Sequence, residues 1–242
     1  MAGLTKTAIF ANSKGGVGKS SIALLMSLGL ATRHGNSKIE LIDLDPQATT
    51  SDSLQRFANS RLSVVRDESF HLGNELLNNA KIISHIESKV GFSSTYLIFD
   101  TPAGTDPERS SFFLSADIIF VPTSVSDADI FATKKFLQAL QKLFNSDDDI
   151  NSGELPTVVI LPSIVDSREE FNEVRSALSH VPGYLGKPLF YSPLFRRAFR
   201  AQANDNNVRE LLINSSNYIE WLTSLLVNSE TIKQRPTTLF QL

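Results

Sequence analysis

The sequence predicts an α/β fold, namely a doubly wound, mostly parallel sheet with helices on both faces. Three observations predict it. Apolar strand patterns alternate with helical patterns along about 228 residues. A glycine-rich turn separates the first strand from the first helix, and two strands end in aspartates, Asp43 and Asp100. Right-handed crossovers between parallel strands would bring all these strand ends to one edge of the sheet.

Short runs rich in β-branched, aromatic and aliphatic residues predict the strands. They lie at 5–11, 38–44, 62–66, 95–100, 116–122, 156–162 and 187–191. Longer segments with apolar residues at helical spacing predict the helices. They lie at 20–33, 49–59, 72–90, 107–114, 126–144, 168–180 and 214–227. His71 and His85 fall beside or within one of these helices and are interpreted as surface or capping residues.

The amino-acid composition excludes several classes of protein. The 242 residues contain no cysteine, which excludes disulfides, Cys-ligated zinc and iron–sulfur clusters. The net charge of −3 means that a nucleic-acid partner would need a local basic patch. No Pro/Gly/Ser-rich linker divides the chain, so 1–228 is predicted to be one domain and 229–242 a flexible C-terminal tail. No signal-peptide pattern or membrane-length apolar run occurs, which predicts a cytoplasmic protein.

The glycine-rich turn, Asn-Ser-Lys-Gly-Gly-Val-Gly-Lys-Ser-Ser at 12–21, predicts a phosphate-binding loop. Gly15, Gly16 and Gly18 allow positive φ, so successive N–H groups can curl around an anion. The start of the next helix adds unpaired N–H groups and a positive dipole end. The alternative is a glycine-rich turn that binds nothing.

Two side chains in this loop would contact the ligand directly. Lys19 would reach the outer phosphates, and the Ser20 hydroxyl would ligate Mg²⁺. The predicted nucleotide-binding residues of the loop are Gly15, Gly16, Val17, Gly18, Lys19, Ser20 and Ser21.

The loop departs from the usual G-x-x-x-x-G-K-[ST] pattern, since it has Ser13 for the first glycine and an additional Lys14. In this form it resembles the deviant P-loop (deviant Walker A type) of the ParA/MinD group of ATPases. The resemblance implies a P-loop NTPase fold with ATP and Mg²⁺ as ligands. It also implies that Lys14 reaches across a homodimer interface to the phosphates of the partner subunit, and so acts with Lys19 in catalysis.

A second motif, Asp-Leu-Asp-Pro-Gln at 43–47, follows an apolar strand. Carboxylates at the end of a strand beside the P-loop strand point into the nucleotide crevice, where they can orient water or bind hydrated Mg²⁺. The segment is similar to the family's D-x-D-P-Q motif. That similarity implies that Asp45 acts in hydrolysis and that Asp43 lies nearer Ser20 and the metal. The alternative for either aspartate is a helix N-cap.

The strand at 95–100 ends in Asp100 and is followed by Thr-Pro-Ala-Gly at 101–104. In P-loop NTPases such an aspartate holds Mg²⁺, often through water. The segment resembles the family's D-[TC]-P-x or D-T-A-G run, and Ser20, Asp43 and Asp100 are therefore the predicted metal site. Gly104 and the two residues after it would form a loop that senses the γ-phosphate. An ordinary N-cap is again the alternative for Asp100.

Base recognition departs from the family. Relatives usually offer an Asn to adenine at the end of the strand at 156–162, where this chain has Leu161-Pro162-Ser163. Backbone groups near Pro162, Ser163 and Ile164 are expected to contact the base instead.

The segment 192–200 carries three arginines interleaved with aromatic residues, Arg196, Arg197 and Arg200. It resembles the C-terminal region of ParA-type proteins, in which basic residues of the dimer bind DNA non-specifically. Dimerisation would double the number of contacts to DNA phosphates, so the affinity for DNA would be appreciable and would depend on salt. The alternative is that one arginine serves the nucleotide site or the dimer interface and the others are solvated.

The resemblance as a whole implies a ParA-like ATPase that dimerises on ATP, binds non-specific DNA and positions DNA or another cargo. Hydrolysis would be slow and accelerated by a ParB-like or cargo-adaptor partner. The tail has too few basic and apolar residues for a membrane-binding helix. Two alternatives from other classes are a metabolic P-loop phosphotransferase and a nucleotide-gated adaptor with vestigial hydrolysis.

Overall fold

The computed structural model describes residues 4–46, 55, 60–72, 76–91, 93–146, 155–198, 205–234 and 240–241. The strands are β1 Thr5–Phe10, β2 Lys38–Asp43, β3 Leu62–Val65, β4 His71–Leu72, β5 Leu76–Leu77, β6 Thr95–Asp100, β7 Ile118–Thr123, β8 Thr157–Val165, β9 Tyr184–Leu185, β10 Leu189–Phe190 and β11 Phe240–Gln241. The helices are α1 Lys19–Arg33, α2 Asn79–Glu87, α3 Asp127–Ser146, α4 Arg168–Ala177, α5 Pro193–Ala198, α6 Asp205–Asn214, α7 Ser216–Val227 and α8 Ser229–Gln234. Short 3₁₀ helices lie at Glu68–Phe70, Pro107–Arg109 and Ser111–Ser115.

In the described part of the chain, a nine-stranded sheet has the order β11-β9-β8-β7-β1-β6-β2-β3, with β10 paired to β8. The strands from β3 to β9 along this order run parallel. β11 is antiparallel to β9. Because β1 lies between β7 and β6, the loop that follows it opens at the centre of the sheet edge where ligands bind in such folds.

The two faces of the sheet bury separate cores. Along β1, Ala8 and Phe10 pack on the side that carries α1, α6 and α7. Ile9 and Ala11 pack on the side that carries α2, α3 and α4. This alternation follows from the period of two in a strand, and burial on both faces explains why β1 is continuously apolar.

The region 72–90 is not the single helix that its apolar spacing predicted. Leu72 and Leu76 instead face each other in the antiparallel β4–β5 hairpin. The helix begins only after Asn78, whose side-chain oxygen accepts a hydrogen bond from the Lys81 N–H at 3.2 Å. An asparagine cap of this kind favours a helix start at that position, which the periodicity alone did not indicate.

The C-terminal third contains more helices than predicted. α5 and α6 occupy a region in which no helix was predicted, and the predicted strand at 187–191 is the short β10. The predicted helix at 49–59 lies outside the described residues, apart from residue 55. None of the helices that the structure describes combines the length and apolar character needed to span a lipid bilayer.

The first six residues of the predicted tail form α8. Glu230 of this helix accepts a hydrogen bond from the buried Lys6 ammonium at 2.6 Å, and Lys6 also lies 3.3 Å from Asp117. Ser229 and Ile232 are buried. The division of the chain into 1–228 and 229–242 remains a prediction.

Candidate functional site

The glycine-rich loop connects β1 to α1 at the carboxyl edge of the sheet. Gly16 and Gly18 have φ of 79° and 92°, a left-handed conformation that side chains with a Cβ rarely adopt. Gly18 is the N-cap of α1 and offers no side-chain cap to the first turn. The N–H groups at the start of α1 are therefore directed at the loop, where an anion can accept them.

The buried side chain of Asn12 holds the start of the loop in place through hydrogen bonds. Its side chain is fully buried and donates to the Pro122 carbonyl and the Thr133 hydroxyl, each at 2.8 Å. Its Oδ1 accepts from the Lys14 N–H at 3.1 Å. A buried amide with three satisfied bonds holds the loop in one position before any ligand binds.

Two further bonds tie the loop to neighbouring strands. The buried Ser163 hydroxyl at the end of β8 donates to the Val17 carbonyl at 2.5 Å. The Gly104 N–H, in the loop after β6, donates to the Ser13 carbonyl at 2.9 Å. The second bond links the segment predicted to sense the γ-phosphate to the phosphate-binding loop itself.

Lys19 is buried and turns back over the loop, where its Nζ donates to the Lys14 carbonyl at 2.9 Å. Burial lowers its pKa below the ordinary value, while the charges of Asp100 and Asp45 act in the opposite direction. A partly desolvated ammonium with incomplete charge compensation favours the approach of an anion.

Asp43 and Asp100 lie side by side at the ends of β2 and β6, where they are paired in register, and both are buried. The Asp43 Oδ1 accepts from the Asp45 N–H at 3.0 Å, and the Leu44 N–H donates to the Asp100 carbonyl at 2.9 Å. The turn that carries Asp45 is thus held to both buried strand ends.

A cavity of about 410 Å³ opens over the loop, a size within the ~300–1,000 Å³ typical of small-ligand sites. One wall is the loop with the start of α1, and another includes Asp45, Thr101 and Ala103. A third part of the lining, the aromatic wall, comes from β10 and the segment that enters α5, with Phe190, Tyr191 and Phe195. The lining therefore combines the Lys19 ammonium and the glycines of the loop with three aromatic side chains.

Magnesium is the metal that the donor set fits. Ser20 lines the cavity, and two carboxylates lie at the adjacent strand ends. Among the described residues, no group of three or more His, Asp or Glu side chains could hold a metal ion by itself. A hydroxyl and two carboxylates suit Mg²⁺, which usually keeps several waters and binds substrate phosphates rather than an all-protein cage.

The comparisons agree with this geometry. The family model described as "AAA domain" matches residues 5–99, which include the loop and the turn at Asp43. No curated protein matches the chain in sequence. The solved structures that resemble it include apo McdA from Cyanothece, at 14% identity and TM-score 0.66 over 92% of this chain and 100% of that chain.

Two more solved structures are similar. One is a putative plasmid partition protein from Borrelia burgdorferi bound to AMPPNP, at 15% identity and TM-score 0.59 over 88% of this chain and 100% of that chain. The other is pNOB8 ParA bound to non-specific DNA, at 13% identity and TM-score 0.59 over 96% of this chain and 99% of that chain. The chain has the fold of the ParA/MinD P-loop ATPases. The predicted fold class is confirmed, and so, at the level of the fold, is the resemblance to this group.

Within this ParA/MinD fold, the structure brings most of the predicted nucleotide-binding residues together. The cavity is lined by Gly15, Gly16, Gly18, Lys19, Ser20 and Ser21. Val17 is buried and contributes its carbonyl to the Ser163 bond. Lys14 is about half exposed, and its Nζ lies 3.8 Å from the Asp129 carboxylate on α3.

The assignment of base contacts to residues 162–164 remains a prediction, and two of these three residues line the cavity. Pro162 lies within β8 opposite Thr123 and is not among the residues that line the cavity. Ser163 lines the cavity, and its hydroxyl also supports the loop by donating to the Val17 carbonyl. Ile164 does line the cavity, with φ of 59°, which is strained for a β-branched residue and typical of functional sites.

Sequence reasoning missed the aromatic wall. Phe190 and Tyr191 are 46% and 45% exposed, and they face the cavity with Phe195. The aromatic residues at 190, 191 and 195 were a usable sequence signal, but those of the segment 192–200 were considered only as part of a DNA-binding surface. Ser192 and Phe195 of that segment line the cavity, whereas the cavity lining includes none of its arginines.

The structure describes the three arginines only in part. Arg197 is exposed on α5. The side chain of Arg196 and all of Arg200 lie outside the described residues. The DNA-binding assignment of these arginines remains a prediction.

The two histidines differ in environment. His85 contacts Glu40 at 3.0 Å. His71 instead lines a second cavity, of about 890 Å³, which shares Asp45 and Ala103 with the first. Its position beside Asp45 was not predicted, because no sequence pattern links residue 71 to the turn after β2.

Proposed function

We propose that this protein is a ParA-like ATPase that binds Mg²⁺-ATP in the 410 Å³ cavity and hydrolyses it slowly. The observation that carries the proposal is the buried Lys19, whose ammonium is held over the glycine-rich loop by the Lys14 carbonyl and lies within the field of Asp100 and Asp45. The triphosphate would lie on the loop and α1. The base would lie against Phe190 and Tyr191, where stacking on an aromatic face needs no side-chain amide.

Three residues would hold the metal. The Ser20 hydroxyl would ligate Mg²⁺ directly, and Asp43 and Asp100 would bind its coordinated waters. When bound, the ion neutralises charge on the β- and γ-phosphates. Lys19 adds a positive charge where negative charge develops during cleavage.

Asp45 is the proposed residue that orients the attacking water. It is half-buried and lines both cavities, so it lies between the phosphate site and solvent. Its backbone is fixed by the Asp43 carboxylate. A carboxylate held in this way can accept a proton from water and align it for in-line attack.

Lys14 supports the proposal of an ATP-dependent homodimer. Its side chain is 48% exposed, and its ion pair with Asp129 is long at 3.8 Å. Such an exposed pair stabilises by about 0–1 kcal/mol, so releasing the lysine costs little. Lys14 would then reach the phosphates bound by a second copy of the chain.

Non-specific DNA is the proposed surface, and a ParB-like or cargo-adaptor protein is the proposed activator of hydrolysis. One of the similar solved structures, pNOB8 ParA, is bound to non-specific DNA, which supports the choice of surface. Arg197, with Arg196 and Arg200 beside it in sequence, would contact phosphates. Such binding would associate the protein with the nucleoid, and hydrolysis would release it.

We expect fluorescence anisotropy with a random-sequence duplex to show binding with ATP and weak or no binding without nucleotide. Replacing Arg196, Arg197 and Arg200 together with alanine should weaken binding and reduce the dependence on log salt by about one unit per lost phosphate contact. Arg168→Ala, an exposed arginine on α4, is the control. Binding unchanged by the triple substitution would contradict the DNA assignment.

The second cavity favours one alternative, a P-loop phosphotransferase, because it provides space for a small substrate beside Asp45. Product analysis separates the two functions. An ATPase releases inorganic phosphate from purified protein and ATP alone. A phosphotransferase requires an added acceptor and yields a phosphorylated product.

A further inference from the structure

The turn that carries Asp45 is held by groups from three parts of the chain. The Asp45 N–H bonds to the Asp43 carboxylate, and the Leu44 N–H bonds to the Asp100 carbonyl. The remaining polar group of Leu44, its carbonyl, lies 3.1 Å from the His71 Nε2. Because a carbonyl only accepts, Nε2 must carry the proton and donate.

His71 is itself well anchored. Phe70 before it is buried in the core, with its carbonyl accepting from the Asn78 N–H at 2.7 Å. His71 then pairs with Leu77 in the β4–β5 hairpin. The imidazole is therefore presented by a fixed backbone, and it reaches across 27 positions of sequence to the Asp45 turn.

We propose that His71 is a positioning residue for hydrolysis, which sets the direction of the Asp45 carboxylate by fixing the Leu44 carbonyl. This inference rests on the proposed role of Asp45. Both His71 and Asp45 line the 890 Å³ cavity, so the imidazole approaches the turn from the cavity and not from the buried strands. Arg66 assists more weakly from the exposed surface, with Nη2 3.3 Å from the Pro46 carbonyl.

The role of the hydrogen bond from His71 to the Leu44 carbonyl follows from its position next to Asp45. Leu44 is buried, but His71 lines the cavity, so truncating the imidazole opens a path by which water can reach the Leu44 carbonyl. The fold and the phosphate-binding loop therefore stay intact. The peptide between Leu44 and Asp45 gains freedom to tilt. A carboxylate displaced by a fraction of an ångström loses alignment with the attacking water, and misplacement by 1 Å can cost about 100-fold in rate.

The test compares three substitutions of His71 in the full chain. In His71→Gln the amide nitrogen can occupy the Nε2 position, whereas His71→Asn has the same amide with a shorter reach, and His71→Ala has no donor. We expect kcat for phosphate release to fall about tenfold in the Ala and Asn variants and to stay within about threefold of wild type in the Gln variant. The KM for ATP and the melting temperature should not change. His34→Ala is the control, since that ring lies near Tyr96 at the opposite edge of the sheet.

Asp45→Ala, alone and combined with His71→Ala, completes the experiment. If the two residues act as one unit, the double variant is no slower than Asp45→Ala. Wild-type kcat in His71→Ala, or equal loss in the Gln and Ala variants, would overturn the inference while leaving the proposed function in place. A parallel fall in ATP affinity would also overturn it, because His71 would then maintain the binding site. Wild-type hydrolysis in Asp45→Ala would instead contradict the proposed function.

Discussion

Replacing Lys19 with alanine is expected to weaken ATP binding by about 100-fold, because two charge-assisted hydrogen bonds to phosphate oxygens would be lost. Lys19 is buried and donates to the Lys14 carbonyl, so its ammonium is already held over the loop. Its low exposure means that solvent screens the interaction little. Titration of a fluorescent ATP analogue into the purified variant measures the change directly.

The control is Lys38→Ala, which removes an exposed lysine at the start of β2, on the edge of the sheet away from the loop. The melting temperatures of both variants establish that they are folded. An Lys19→Ala protein that binds ATP with wild-type affinity would show that the phosphates do not lie on this loop. The assignment of the 410 Å³ cavity would then be lost.

Replacing Asp45 with asparagine is expected to lower the rate of phosphate release by about 10²–10⁴-fold, the usual contribution of a general base. Asparagine has nearly the shape of aspartate but cannot accept the proton. Asp45 lines the cavity while its N–H is held by Asp43, so the backbone of the turn should be unaffected. ATP binding is therefore expected to persist at close to wild-type affinity.

A single-turnover assay with excess protein separates the chemical step from product release. Asp166→Asn, an exposed aspartate before α4, is the matched control and should hydrolyse ATP normally. Equal rates for Asp45→Asn and wild type would favour a nucleotide-gated adaptor in which hydrolysis is vestigial.

Sequence patterns predicted the parts of the site that depend on residues close together in sequence or on the regular alignment of parallel strands. The loop at 12–21 needs glycine where φ is positive, and Gly16 and Gly18 have that conformation. Asp43 and Asp100 could be placed side by side because parallel strands align their carboxyl ends, as the observed register shows. Strand and helix positions around the site followed from apolar spacing in the same way.

The parts that were not predicted depend on contacts between residues far apart in sequence. The Ser163–Val17 bond spans 146 positions and the Asn12–Thr133 bond spans 121, and no local pattern marks either pair. The aromatic wall at Phe190 belongs to the site only because β10 pairs with β8. The hairpin at β4 and β5 was mistaken for a helix because short apolar runs do not distinguish the two structures.

We propose above all that a nucleoside triphosphate joins two copies of this chain, with Lys14 completing the site of its partner. Light scattering coupled to size-exclusion chromatography tests it most directly, with ATP and the slow Asp45→Asn variant to retain the bound state. We expect 26.7 kDa without nucleotide or with ADP, and twice that mass with ATP. Adding Lys14→Ala should abolish the larger species, whereas adding Lys81→Ala, an exposed lysine on α2, should not. A mass of 26.7 kDa under every condition, or a dimer that forms equally well without Lys14, would contradict the account.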